Sequence, residues 1–236
     1  MNKVTFIFPL YNEQKRIYLL NNFLSFFNNK IKEYEIFLIN NGSTDKTFNL
    51  IQKFGKKNKK IKPLNINFSS RGAAIKLGVK KSKFNTIAIC SIDNSWDLNF
   101  YIKAYSIIQN EKFDIVYGPK DHNLSKVYRP YFRKVISFFC TIFLKILFGD
   151  LISDDTQCIK MFKKNKISFF NKLSNANLFA ECEFYIFGKL CNLRQVAIPV
   201  KIYDTKKRVK LIFILKFMLE AIKFKIKNFN HKGKFE

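Results

Sequence analysis

Three apolar, β-rich runs in this chain each stop abruptly at a polar cluster. Val4–Pro9 leads into Leu10-Tyr11-Asn12-Glu13, Glu35–Ile39 into Asn40-Asn41-Gly42-Ser43-Thr44-Asp45, and Thr86–Ser91 into Asp93. Segments with helical spacing separate them. One runs from Asn12, a candidate cap, to about Phe27, with Ile17, Leu20, Leu24 and Phe27 on one face. Gly72–Val79 also reads as helix, another starts near Leu98, and Lys62–Asn67 and Asp114–Tyr117 read as further strands. Strand–helix alternation of this kind predicts an α/β fold with a mostly parallel sheet flanked by helices. Such sheets bind ligands beyond the carboxyl ends of their strands. The three polar clusters therefore converge on one crevice.

The second half has a different texture. Val135–Leu147 is nearly continuous apolar sequence with a thin polar stripe at Ser137, Thr141 and Lys145, too short to cross a bilayer comfortably. Leu211–Lys227 repeats the theme, with Lys216, Glu220, Lys223 and Lys227 on one face and Leu, Ile, Phe and Met elsewhere. Amphipathic helices with basic edges can lie in a membrane interface, or can pack on a core with a basic outer face. The boundary is expected near residue 205, with 1–205 as the main domain and 206–236 as a basic amphipathic helix and tail.

Charge narrows the partner. The net charge of +26 calls for a polyanion, and both nucleic acid and an anionic membrane surface qualify. Phe and Lys are spread through the whole chain without a nucleic-acid motif, so nucleic acid is not expected. Five cysteines with no CxxC pair, and no signal-peptide pattern, fit a reduced, cytoplasmic protein held peripherally on the cytoplasmic face of a membrane. With only His122 and His231, a histidine-based zinc site is not expected. A divalent cation held by carboxylates is a different matter. Asp93 ends a buried-looking strand and is the best candidate ligand. Ser95 can contribute through water, and Asp97 either supplies a second carboxylate or caps the next helix.

These segments, taken in order, resemble family 2 glycosyltransferases of GT-A fold, and within them the dolichyl- or polyprenyl-phosphate sugar synthases. Phe8-Pro9-Leu10-Tyr11-Asn12-Glu13 is similar to the family's P-x-Y-N-E opening, and Asn40–Thr47 to D-D-G-S-T-D-x-T. Ser70-Arg71-Gly72-Ala73-Ala74 resembles G-[KR]-G-A-A, Asp93-Asn94-Ser95 stands at D-x-D, and Gly118-Pro119-Lys120 at G-S-R. Asp154 to Phe162 resembles D-x-x-x-G-x-K-x-F, Glu181-Cys182-Glu183 a D-x-E step, and Ile198-Pro199-Val200 the late I-P-V strand.

The resemblance implies an inverting transfer from a UDP- or GDP-linked sugar to a polyprenyl phosphate or other lipid acceptor, assisted by Mg²⁺ or Mn²⁺. Pro9, Tyr11 and Glu13 would line the nucleotide pocket, and Asn41 would face the base. Asp45 would support that loop, Arg71 would hold the nucleotide, and Asp93 would bind the metal. Lys120, Arg129 and Arg133 would meet the acceptor phosphate or the donor diphosphate, a role suited to permanent cations. A lipid phosphate needs no general base. A hydroxyl acceptor, as in glycan or glycolipid extension, needs one, and Glu181, Glu183 and Asp154 are the candidates. Asn41 for Asp, Ser95 for the second carboxylate, Cys158 for glycine and Ser70 for glycine depart from the family pattern. With Ser95 at that place, a catalytically silent nucleotide- or membrane-binding scaffold stands as an alternative.

Overall fold

The structure is a computed structural model and describes residues 1–93, 96–110, 112–152, 158–203 and 211–229. The strands are β1 (Val4–Leu10), β2 (Tyr34–Asn41), β3 (Ile61–Ile66), β4 (Thr86–Ile89), β5 (Ile115–Gly118), β6 (Lys126–Tyr128), β7 (Ile159–Lys163), β8 (Gln195–Ala197) and β9 (Lys201–Tyr203). The helices are α1 (Leu20–Phe27), α2 (Thr47–Lys57), α3 (Arg71–Lys81), α4 (Asn99–Gln109), α5 (Tyr131–Phe148), α6 (Ala180–Leu190) and α7 (Leu211–Phe229).

Seven strands form one sheet in the order β3-β2-β1-β4-β7-β5-β8, and β6 pairs with β9 in a small second sheet. The expected parallel sheet is present, with β7 antiparallel to both β4 and β5. β1 is buried on both faces, which is why it reads as an unbroken apolar run. Phe6 and Phe8 face a cluster with Phe23 and Phe27 of α1 and Phe100 and Tyr101 of α4. Ile7 faces the opposite cluster, with Phe37, Val79 of α3 and Phe162. Phe6 and Phe8 meet Phe23 edge-on, each with ring centroids 5.0 Å apart, an arrangement that adds to simple burial.

Asn12 does not cap a helix. It sits at φ 53°, and α1 begins only at Leu20, after a 3₁₀ turn at Ile17–Leu19. Its amide oxygen instead accepts the Thr44 N–H at 2.8 Å, while its own N–H donates to Ser43 Oγ at 3.0 Å. The loops after β1 and β2 are thereby tied together, a better outlet for a short polar side chain in left-handed backbone than a cap.

The two apolar helices of the second half are longer than the sequence suggested, and they pack on each other. Phe217, Ala221 and Phe224 of α7 are buried against Phe148, Phe179 and Phe187. Glu220 leaves the lysine face expected for it. Its carboxylate turns inward and accepts the N–H groups of Leu178 and Phe179 at 2.8 Å and of Asn177 at 3.2 Å. Those donors immediately precede α6, so a carboxylate from another helix does the work of a cap. No described helix is long and apolar enough to cross a membrane.

Candidate active site

A cleft of about 230 Å³ opens beyond the carboxyl ends of β4 and β5, the side of the sheet where the topology predicts it. Its walls include Arg71, Asp93, Lys120, Arg133, Asn177 and Glu181. Five of these residues were candidates on sequence grounds: Arg71, Asp93, Lys120, Arg133 and, as a base for a hydroxyl acceptor, Glu181. Their elements explain their convergence. Arg71 opens α3, Asp93 follows β4, Lys120 follows β5, and Arg133 lies in the first turn of α5.

Arg71 is held by a buried charge network. Its guanidinium meets Glu181 Oε1 at 2.5 Å, and Lys160 Nζ meets Glu181 Oε2 at 2.5 Å. Burial alone would raise the Glu181 carboxyl. The charges of Arg71 and Lys160 overcome it and hold the group down at about 2. The start of α3 is fixed from three sides. Ser70 Oγ caps it by accepting the Ala73 N–H at 3.1 Å and donates to the Asn175 carbonyl at 2.8 Å. Asn41 Oδ1 accepts the Ser70 N–H at 2.6 Å, and Asn177 Oδ1 accepts the Arg71 N–H at 3.2 Å. Gly72 lets the chain pass, because a Cβ there would lie 2.5 Å from the Ser174 carbonyl oxygen.

Opposite Arg71, Asp93 Oδ1 accepts from Ser91 Oγ at 2.9 Å. Lys120 Nζ lies 5.3 Å from the Trp96 ring centroid, where the ring face attracts a cation. Cys90 also lines the cleft, but burial pushes its thiol far up, so it supplies no thiolate nucleophile at neutral pH.

The remaining candidates stand elsewhere. Tyr11, Glu13 and Asp45 form a polar shelf at the ends of β1 and β2. Glu13 pairs with Arg16 at 2.6 and 2.7 Å, and its N–H donates to Thr47 Oγ1 at 2.7 Å. Asp45 accepts the N–H groups of Thr47 at 2.9 Å and Gln14 at 3.2 Å. Burial works against its ionised form, but those bonds outweigh it and lower the carboxyl below its usual range. Pro9 is half-buried within β1, and Asn41 is buried, joined to the cleft through Ser70.

Asp97 is not on the cleft wall. Its Oδ1 accepts the Asn99 N–H at 2.9 Å, the helix-start alternative. Arg129 donates to Ser137 Oγ at 2.9 Å and is likewise not on the wall. Glu183 is buried away from it, with its carboxylate bound to the Ser174 N–H at 2.7 Å and to the Ser174 hydroxyl. Burial raises its carboxyl, and the neighbouring negative charge of Glu220 adds to the rise against the Ser174 bonds. Ser95 and Asp154 lie outside the described residues. Sequence reasoning gave no role to Lys160, Asn177 or Trp96. The signal that could have found the first is the Asp154–Phe162 segment, in which Lys160 stands at the motif's lysine. The structure buries it, and a buried lysine demands an anion.

Among the described residues no group of three His, Cys, Asp or Glu forms a ready metal cage. The donor set still suits a hard cation bound with its substrate. Asp93 offers carboxylate oxygens on the cleft wall, and Mg²⁺ or Mn²⁺ sites commonly combine one or two carboxylates with substrate phosphate and water.

Fold and cleft together define an α/β protein of GT-A type, with a cleft lined by charged side chains beyond the strand ends. Residues 5–169 match the model of Glycosyl transferase family 2, and the chain belongs to that family. It is 26% identical over 185 residues to a dolichyl-phosphate β-glucosyltransferase of Trichomonas vaginalis, covering 72% of this chain and 56% of the relative. To the dolichyl-phosphate β-glucosyltransferase of Dictyostelium discoideum it is 28% identical over 174 residues, covering 67% and 53%. The chain thus spans about half the length of the curated relatives it matches. Among solved structures, glucosyl-3-phosphoglycerate synthase of Mycobacterium tuberculosis, in complex with Mn²⁺, UDP and glucosyl-3-phosphoglycerate, shares the fold. Its TM-score is 0.70 at 11% identity, covering 98% of this chain and 81% of that one. TarS 1-349 of S. aureus, in complex with UDP-GlcNAc, gives 0.61 at 17% identity, covering 98% and 68%.

Proposed function

We propose that this protein is an inverting glycosyltransferase that moves glucose from a uridine-diphosphate donor to a polyprenyl-type lipid phosphate at a membrane surface. The supporting observation is the charge inventory of the cleft. Arg71, Lys120 and Arg133 surround a space whose described carboxylates are Asp93 and Glu181. Glu181 is committed to Arg71 and Lys160 and held at about 2, so it is a poor proton acceptor. A cleft rich in cations and poor in available base suits an acceptor that is already an anion. The names of the two dolichyl-phosphate relatives support that acceptor and a glucosyl donor, and the UDP complexes of the structural neighbours support uridine.

In this reading an acceptor phosphate oxygen attacks the anomeric carbon from the face opposite the donor diphosphate. The bond from that carbon to the diphosphate oxygen breaks, and UDP leaves with the electron pair. No proton has to move on the protein. Arg71, fixed by Glu181 and Asn177, positions the donor phosphates, and Lys120 and Arg133 balance the charge of donor and acceptor. Asp93 would hold Mg²⁺ or Mn²⁺, which when bound supplies further neutralisation of the leaving diphosphate.

Thermal unfolding with UDP or GDP, each with and without Mn²⁺, tests the donor site. A ligand present at about 100 times its Kd adds roughly 2.7 kcal/mol of stability. Stabilisation by UDP that needs Mn²⁺ and disappears in Asp93→Asn is expected, together with transfer of labelled glucose into polyprenyl phosphate. Folded protein that no nucleotide stabilises would make the chain a silent scaffold.

A further inference from the structure

α7 carries three distinct faces, not two. Phe217, Ala221 and Phe224 point into the core. On the side turned away from that core, Leu215, Leu219, Ile222 and Ile226 are all exposed, at spacings of four, three and four. That spacing makes them one continuous apolar stripe. Lys216, Lys223 and Lys227 run along one flank of it, and Lys225 lies on the other, roughly 90° round the helix from the stripe. α5, which packs beside α7, exposes Phe138, Phe139, Ile142 and Ile146. Two adjacent helices therefore leave aligned bulky apolar residues in water, more than the scattered exposed side chains of an ordinary soluble surface.

From these faces we infer a docking surface for an anionic lipid bilayer, formed by the outer stripes of α7 and α5. Charge selects the occupant. A second copy of the chain would bring lysine against lysine, in a protein whose net charge is already +26. Anionic headgroups complement the same lysines. Their long stems let the ammonium groups reach the headgroups while the Leu and Ile side chains enter the acyl boundary. The placement has a chemical consequence, and this part rests on the lipid-acceptor reading. α5 carries Phe138 and Ile142 on its outer face, and Arg133 in its first turn lines the cleft. With α5 on the bilayer, the cleft cation sits near headgroup depth, within reach of a phosphate whose lipid tail stays in the membrane.

Co-sedimentation of the full chain with phosphatidylcholine vesicles, and with phosphatidylcholine–phosphatidylglycerol vesicles, tests this directly. Binding to the anionic vesicles alone is expected, weakening as salt rises. Replacing Lys216, Lys223 and Lys227 together with Gln should weaken it about a hundredfold, at roughly fivefold per lysine. Leu219→Glu with Ile222→Glu should weaken it more than about tenfold at unchanged thermal stability, because both side chains are exposed. Equal pelleting of wild type and both variants would overturn the proposal. So would a lipid-free dimer that the Leu219→Glu, Ile222→Glu variant abolishes, which would assign the stripe to a second copy. UDP stabilisation measured without vesicles reads the donor site separately. Loss of that signal with vesicle binding intact would sink the transferase reading and leave the docking surface standing.

Discussion

Glu181→Gln is the sharpest perturbation the cleft offers, because it keeps shape and removes one charge from a buried network. Glu181 is 7% exposed and neutralises both Lys160, whose side chain is 3% exposed, and Arg71, at 29%. Holding its carboxyl at about 2 instead of 4.5 corresponds to about 3 kcal/mol of stability at neutral pH. Stripping one partner from a buried ion pair costs about 3–5 kcal/mol by an independent route. The variant should therefore unfold in urea with about 3 kcal/mol less stability at pH 7 and an unchanged slope. The folded-state value is the lower one, so the contribution is present above 4.5 and disappears as the pH falls towards 2. The gap between wild type and variant should accordingly close on acidification across that window. Adding Lys160→Met to the variant should recover part of the loss, since the stranded lysine is then gone. A gap below about 1 kcal/mol at pH 7, or one constant from pH 7 to pH 3, would refute the network as a source of stability.

Ser70→Ala removes the cap of α3 and leaves the Asn175 carbonyl without its donor. It should cost about 1–2 kcal/mol in chemical denaturation and raise the apparent Kd for the nucleotide, because Arg71 is the next residue. Glu220→Ala removes the carboxylate that accepts from the three N–H groups just before α6, two of them on the cleft residues Asn177 and Leu178. A loss of about 2 kcal/mol or more is expected, with a weaker nucleotide-induced shift in thermal unfolding, while Glu220→Gln should lose less. Gly42→Ala places a side chain at φ 65° with its Cβ 2.5 Å from the Phe68 carbonyl carbon. Circular dichroism melts should show a marked fall in Tm.

What the sequence made legible follows from burial. β1, β2 and β4 are covered on both faces, so their apolar runs announce them, but of the polar clusters at their ends only the one after β4 lines the cleft. Asp93 was legible from its place at a strand end, whereas Arg71, Lys120 and Arg133 came from the family resemblance and reach the cleft as it implied. β7 was not read as a strand. Its sequence, Ile159-Lys160-Met161-Phe162-Lys163, places two lysines in five residues, and local pattern says nothing of an antiparallel insertion between β4 and β5. Lys160 makes sense only beside Glu181, a partner 21 residues away that tertiary packing delivers. Asn177 reaches the cleft from a segment without a local signal, and Trp96 stands within Asp93–Asp97, where only its polar neighbours were candidates. The polar face drawn on α7 was incomplete for a related reason. Period alone put Glu220 with the lysines, whereas in the structure its carboxylate turns inward to the N–H groups of Leu178 and Phe179 just before α6.

The first turn of α6 holds the decision between a phosphate and a hydroxyl acceptor. Glu181 and Glu183 lie two residues apart and are pushed in opposite directions. Arg71 and Lys160 outweigh burial and lower the first, whereas burial with Glu220 nearby raises the second. Opposed carboxylates are what acid–base catalysis uses, and Glu183 has the better pKa for a base. Its position speaks against the role, because both oxygens are occupied by Ser174 and it does not line the cleft. A lipid phosphate acceptor makes a base unnecessary. Transfer should then follow the second ionisation of the phosphate, near pH 6, and Glu183→Gln should lower stability while keeping the pH profile of kcat. A Glu183→Gln protein that folds, binds UDP as tightly as wild type and loses kcat by about a hundredfold or more would instead make Glu183 the proton acceptor for a hydroxyl.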